Sequence, residues 1–78
     1  MKLPKIGETV IVEYTWYQQP DKYTGKVLAI EEHPQAEYSD ITIHLTGDFE
    51  FRHEKIGYWS YGGADTGSVR VKWGGKLR

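Results

Sequence analysis

With 78 residues and no cysteine, the chain has room for one domain, buries only roughly 60% of its unfolded surface, and has neither disulfide nor thiolate metal ligand to hold it together. Ten basic residues against eleven acidic ones leave it nearly neutral, which removes the bulk electrostatic case for binding nucleic acid. No apolar run approaches the ~20 residues of a membrane span, and the basic start Met1-Lys2-Leu3-Pro4-Lys5 leads into no apolar stretch. Neither a membrane partner nor a signal peptide is expected, and the expected compartment is the cytoplasm.

No window has sustained apolar spacing at i, i+3 and i+4, whereas Gly and Pro interrupt short runs rich in Val, Ile, Thr, Tyr and Trp. The first strand is predicted from Thr9 to Tyr17, with Val10, Val12, Tyr14 and Trp16 on one face. Gln18 to Lys22 reads as a polar loop, because Pro20-Asp21 favours a turn. A second strand runs from Tyr23 to Glu32, with Gly25 marking a bulge, a bend or a close backbone approach. Pro34 ends it, and His33 to Ser39 forms an acidic loop.

Ile41, Ile43 and Leu45 then alternate with polar residues, as do Phe49 and Phe51 after Gly47-Asp48. A two-residue turn would set the aliphatic stripe and the phenylalanines on opposite faces. The need for one buried face selects an odd-length loop. Gly57 to Gly67 is too glycine-rich for a regular strand, and reads as a loop or short strand carrying Tyr58, Trp59 and Tyr61. The last strand is Ser68 to Trp73, with Val69, Val71 and Trp73 inward. Gly74-Gly75 ends it, and Lys76 to Arg78 is expected to fray. The predicted interior is Val10, Val12, Tyr14, Trp16, Val27, Ala29, Ile41, Ile43, Leu45, Phe49, Phe51, Val69, Val71 and Trp73. These elements predict an all-β chain, a single small five-stranded antiparallel barrel over residues 1–78.

The stretch Ile6-Gly7-Glu8-Thr9-Val10-Ile11-Val12, followed by Tyr23-Thr24-Gly25-Lys26-Val27-Leu28-Ala29-Ile30, resembles the KOW and Tudor branches of the SH3-like barrels. The resemblance covers about the first thirty residues, and implies an SH3-like barrel and a binding rather than a catalytic role. Fold likeness does not by itself assign a function.

Two candidate surfaces follow. Tyr58, Trp59 and Tyr61 form an aromatic segment, and Trp and Tyr supply the large, rigid contact area that binding hot spots favour. Tyr17 and Tyr23, flanking the first loop, would complete a groove with it, as in peptide-binding barrels. The competing reading makes these rings ordinary core. The second surface is basic. From Ser68 to Arg78 lie Arg70, Lys72, Lys76 and Arg78 with no acid, while Glu31 to Asp40 contains four acids and no Lys or Arg. Phosphate contact competes there with plain solvated surface.

Sharper chemistry is not supported. Asp65-Thr66-Gly67-Ser68 matches the Asp-Thr-Gly-Ser of aspartic proteases, but it follows Gly62-Gly63-Ala64 rather than a hydrophobic strand, and the family's later supporting element is missing. The glycine-rich segment lacks the Lys-Ser/Thr of a phosphate-binding P-loop. His33, His44 and His53 are not spaced as metal ligands on one element, although His44 and His53 read as cross-strand neighbours with Glu50 or Glu54 nearby. No catalytic residue, metal or cofactor is expected.

The leading expectation is a non-enzymatic accessory or inhibitory module that docks a protein partner through the aromatic segment. The alternative is a KOW-type nucleic-acid binder using the basic C-terminal strand. The chain is expected as a monomer or an edge-paired dimer.

Overall fold

Alternation of apolar and polar side chains becomes an antiparallel sheet in the computed structural model, which describes residues 3–16, 19–55, 57–60, 69–74 and 76–77. The strands among them are β1 (Thr9–Trp16), β2 (Gln19–Glu32), β3 (Ser39–Leu45), β4 (Phe49–Glu54), β5 (Trp59–Ser60), β6 (Arg70–Trp73) and β7 (Lys76–Leu77). They lie in the order β5-β4-β3-β2-β1-β6-β7, each antiparallel to its neighbours. The strand count exceeds the expected five because of β5 and β7, of two residues each. β7 exists because Gly74, at φ 59°, turns the chain back so that Lys76 pairs with Trp73. No described helix is long and apolar enough to cross a membrane.

β2 organises the architecture. Its first half pairs with β1, from Trp16↔Gln19 to Thr9↔Lys26. Its second half pairs with β3, from Val27↔Leu45 to Glu32↔Ile41. One long strand therefore belongs to two half-sheets, β2-β1-β6-β7 and β2-β3-β4-β5, which fold over a shared interior. The far ends meet where the Trp59 ring of β5 contacts the Trp73 ring of β6 edge to face, at 6.0 Å between centroids. The sheet is thus rolled into a nearly closed barrel, with β5 and β7 as its terminal strands.

Residues Gln19–Lys22 are strand where a polar loop was expected. Pro20 is tolerated because, among the described residues, β2 has a neighbour on only one side there, so its missing N–H breaks no second ladder.

A second difference lies at Leu28. The register slips between Val27 and Ala29, so that Leu28 is an extra residue in the strand. Val27 is buried, Leu28 and Ala29 are both exposed, and Ile30 returns to the interior opposite Ile43. Ala29 is therefore not part of the core, although uninterrupted alternation predicts it there. Without the bulge, Ile30 would face solvent and Glu31 would face the interior. Gly25 serves the third of its expected roles, close approach: a Cβ there would come within 3.0 Å of Thr46 Oγ1 and 3.2 Å of Leu45 Cβ.

The β3–β4 loop has odd length, as one shared face requires. Leu45 pairs with Phe49 and Ile43 with Phe51, leaving Thr46-Gly47-Asp48 as a three-residue connection. Gly47 (φ 82°) and Asp48 (φ 59°) supply the left-handed backbone for the reversal.

The core consists of Val10, Val12, Val27, Ile41, Ile43, Leu45, Phe49, Phe51, Trp59, Val69, Val71 and Trp73, with Leu3, Tyr14, Tyr23 and Ile30 packed against it. Phe51, Ile43, Leu45 and four valines are completely enclosed. Each such side chain contributes about 1.5–3 kcal/mol relative to exposure.

Candidate functional site

Of the five aromatic candidates, Tyr17 and Tyr61 lie outside the described residues. Trp59 is 6% exposed. Its ring meets Phe51 at 5.1 Å and His53 at 4.9 Å, in addition to Trp73. It is an interior residue that joins the two half-sheets. Tyr23 is half-buried, stacked on Phe49 at 4.4 Å and 4° between planes, and its hydroxyl donates to the Thr46 carbonyl. Both rings are occupied by packing. Tyr58, also half-buried, precedes β5, and its carbonyl accepts from the Glu54 N–H.

Tyr23 and Trp59 stand at opposite ends of β4, beside Phe49 and His53. Four residues of strand separate those positions by ~13 Å. The fold does not bring the Tyr23 and Trp59 rings together into one groove.

The basic candidates stand differently. Arg70 and Lys72 are exposed on β6, alternating with buried Val71 and Trp73. Lys76 lies in β7, and Arg78 falls outside the described residues. The pairing adds two cations that the sequence does not group with them. Glu13 of β1 pairs with Lys22 on one side and Arg70 on the other. Ile11 lies between Thr24 and Lys72, and Thr9 pairs with Lys26. Directly paired residues share a face of a sheet, so Lys22, Lys26, Arg70 and Lys72 all project from the outer face of β2-β1-β6.

All four are exposed, and none enters an ion pair among the described residues. Glu13 is the single carboxylate among the described outward side chains of the paired segments 9–13, 22–26 and 70–72. The signal that exposes Lys22 and Lys26 is their alternation with Tyr23, Gly25 and Val27. Assigning Lys22 to a loop hides it.

The outer face of the other half-sheet is a closed polar network. Glu31 Oε1 accepts from His44 Nε2 at 3.1 Å, and Glu31 Oε2 lies 3.7 Å from His33 Nε2. His44 Nδ1 lies 3.5 Å from Glu50, whose other oxygen accepts from Arg52 at 3.0 Å. His33 Nε2 is 3.0 Å from Thr42 Oγ1 and covers it, which explains a threonine only 6% exposed on an outer face. Ser60 Oγ donates to Glu54 at 2.6 Å. His53 bonds instead to Asp40 at 3.0 Å, and His44 pairs with Glu50 rather than with His53. The two histidines are therefore not the cross-strand neighbours the sequence suggests. Among the described residues no group of three or more His, Asp and Glu side chains is arranged to hold a metal ion.

Compared with known proteins, the chain matches no family model, no curated protein and no solved structure.

Proposed function

We propose that the protein is a non-enzymatic binding module, an SH3-like small barrel that contacts nucleic acid through the outer face of β2-β1-β6. The observation that carries this reading is the gathering of Lys22, Lys26, Arg70 and Lys72 on one face, without ion-pair partners among the described residues. A near-neutral chain then has one strongly basic side, because its carboxylates are concentrated elsewhere. Local potential, not total charge, draws a polyanion to a surface.

Four phosphate contacts predict a steep salt dependence. Affinity for duplex DNA should fall roughly 10²-fold between about 50 and 200 mM salt. A mobility-shift titration across that range is the direct test, with Arg70→Glu/Lys72→Glu as the comparison protein. Absence of any shift at low salt, on every nucleic acid tried, defeats the reading.

A protein partner is the second reading. Tyr58 stays half-exposed beside β5, a terminal strand of the observed order to which a partner's strand can add. Affinity purification from the native cell separates the two. Capture of a protein that survives nuclease and is lost on Tyr58→Ala favours this second reading over the first.

A further inference from the structure

Resting on the nucleic-acid reading above, we infer that the ligand of the β2-β1-β6 face is a double helix, held by its phosphates without regard to base sequence. The outward side chains described on this face are Lys22, Thr24 and Lys26 from β2, Thr9, Ile11 and Glu13 from β1, and Arg70 and Lys72 from β6. None is aromatic. Tyr14, Tyr23, Trp59 and Trp73 pack against the interior. Proteins that grip single strands stack bases on aromatic rings, and each stack is worth roughly fivefold or more in affinity. This face has no ring to offer a base among its described residues.

Its cations form two rows on the strands flanking β1. Two strand spacings set the rows ~10 Å apart, with Arg70 and Lys72 ~7 Å apart along one and Lys22 and Lys26 ~13 Å apart along the other. Such a separation spans a minor groove about 6 Å wide and reaches phosphates on both of its walls. A single strand has only one line of phosphates to offer. Between the rows the floor is Thr9, Ile11 and Glu13, which holds no bidentate reader such as Arg, Asn or Gln for a base edge. Lysine and threonine at these positions fix the duplex by its backbone and leave its sequence unread. Glu13 sits between Lys22 and Arg70 and opposes the phosphates, so it limits affinity.

The test is a competition titration at low salt with a short DNA duplex of arbitrary sequence, a second duplex of unrelated sequence, and the separated strands of the first. The two duplexes should bind equally, and each should bind at least roughly tenfold more tightly than the single strands. Lys22→Gln and Lys26→Gln should each lower the salt slope on duplex by about one, and Glu13→Gln should tighten duplex binding several-fold. These are exposed positions, and an unchanged far-ultraviolet circular-dichroism spectrum verifies each variant's fold. Preference for a single strand, or for one duplex sequence over the other, overturns this inference while the nucleic-acid reading stands. Loss of all binding to every probe overturns both. A salt slope unaffected by Lys22→Gln and Lys26→Gln excludes the second row of cations and overturns the two-row model.

Discussion

On the β2-β1-β6 face four cations stand without ion-pair partners among the described residues, whereas on the β2-β3-β4 face Arg52 is held by Glu50, and Glu31 and Glu50 each face a histidine. The same strand builds both. Lys22 and Lys26 precede the bulge at Leu28 and project from the first face; Glu31 follows it and projects from the second. The contrast shows why a formal charge of −1 is a poor guide to the surface. Paired exposed charges cancel locally and contribute only about 0–1 kcal/mol each to stability. Unpaired ones on a common face add their fields.

The joint between the two half-sheets offers the largest way to break this arrangement. Trp59→Ala removes the ring that touches Phe51, His53 and Trp73, and should cost about 3–5 kcal/mol in a urea or thermal melt. A loss below about 1 kcal/mol would show that Trp59 is not a buried joint between the half-sheets. Next comes the comparison of faces itself. Arg70→Glu/Lys72→Glu should weaken duplex binding by roughly 10²-fold, while Arg52→Gln on the other face should leave it unchanged in the same mobility-shift titration. Equal loss from both variants would mean that the faces are not functionally distinct.

The β3–β4 loop supplies a smaller effect. Gly47→Ala puts a side chain at φ 82° and drives its Cβ into the Tyr23 hydroxyl, so a destabilisation of about 1–3 kcal/mol is expected by chemical denaturation. Smallest of all is Leu28→Ser. Leu28 is 58% exposed at the bulge, and its replacement should change stability by no more than about 0.5 kcal/mol. A loss of the size seen for buried leucines would place Leu28 inside and remove the bulge that separates the faces.

Much of the barrel was legible because strand alternation has a period of two. Val10 and Val12, Ile43 and Leu45, Phe49 and Phe51, and Val71 and Trp73 all point inward as their spacing requires. Even the three-residue loop followed, since only an odd length lets Leu45 and Phe49 share a face. The bulge was hidden because Val27-Leu28-Ala29-Ile30 is apolar throughout and gives no parity to read. The start of β2 was hidden because Pro20-Asp21 has the chemistry of a turn, and only pairing with β1 reveals it as strand.

For the site, residue type was not enough. Trp59 has the composition of a binding hot spot, yet it is buried, and nothing local distinguishes the two outcomes. Arg70 and Lys72 were legible as an exposed pair. Their union with Lys22 and Lys26, some fifty residues earlier, is a product of register across β1.

That register also has a kinetic meaning. The β1–β2 and β3–β4 hairpins join near neighbours in the chain, but Val10 must find Trp73 across most of its length. Closing so long a loop is the slowest kind of contact to establish. The row formed by Arg70 and Lys72 depends on that long-range pairing, so the two rows of cations share one face only once β6 has docked on β1.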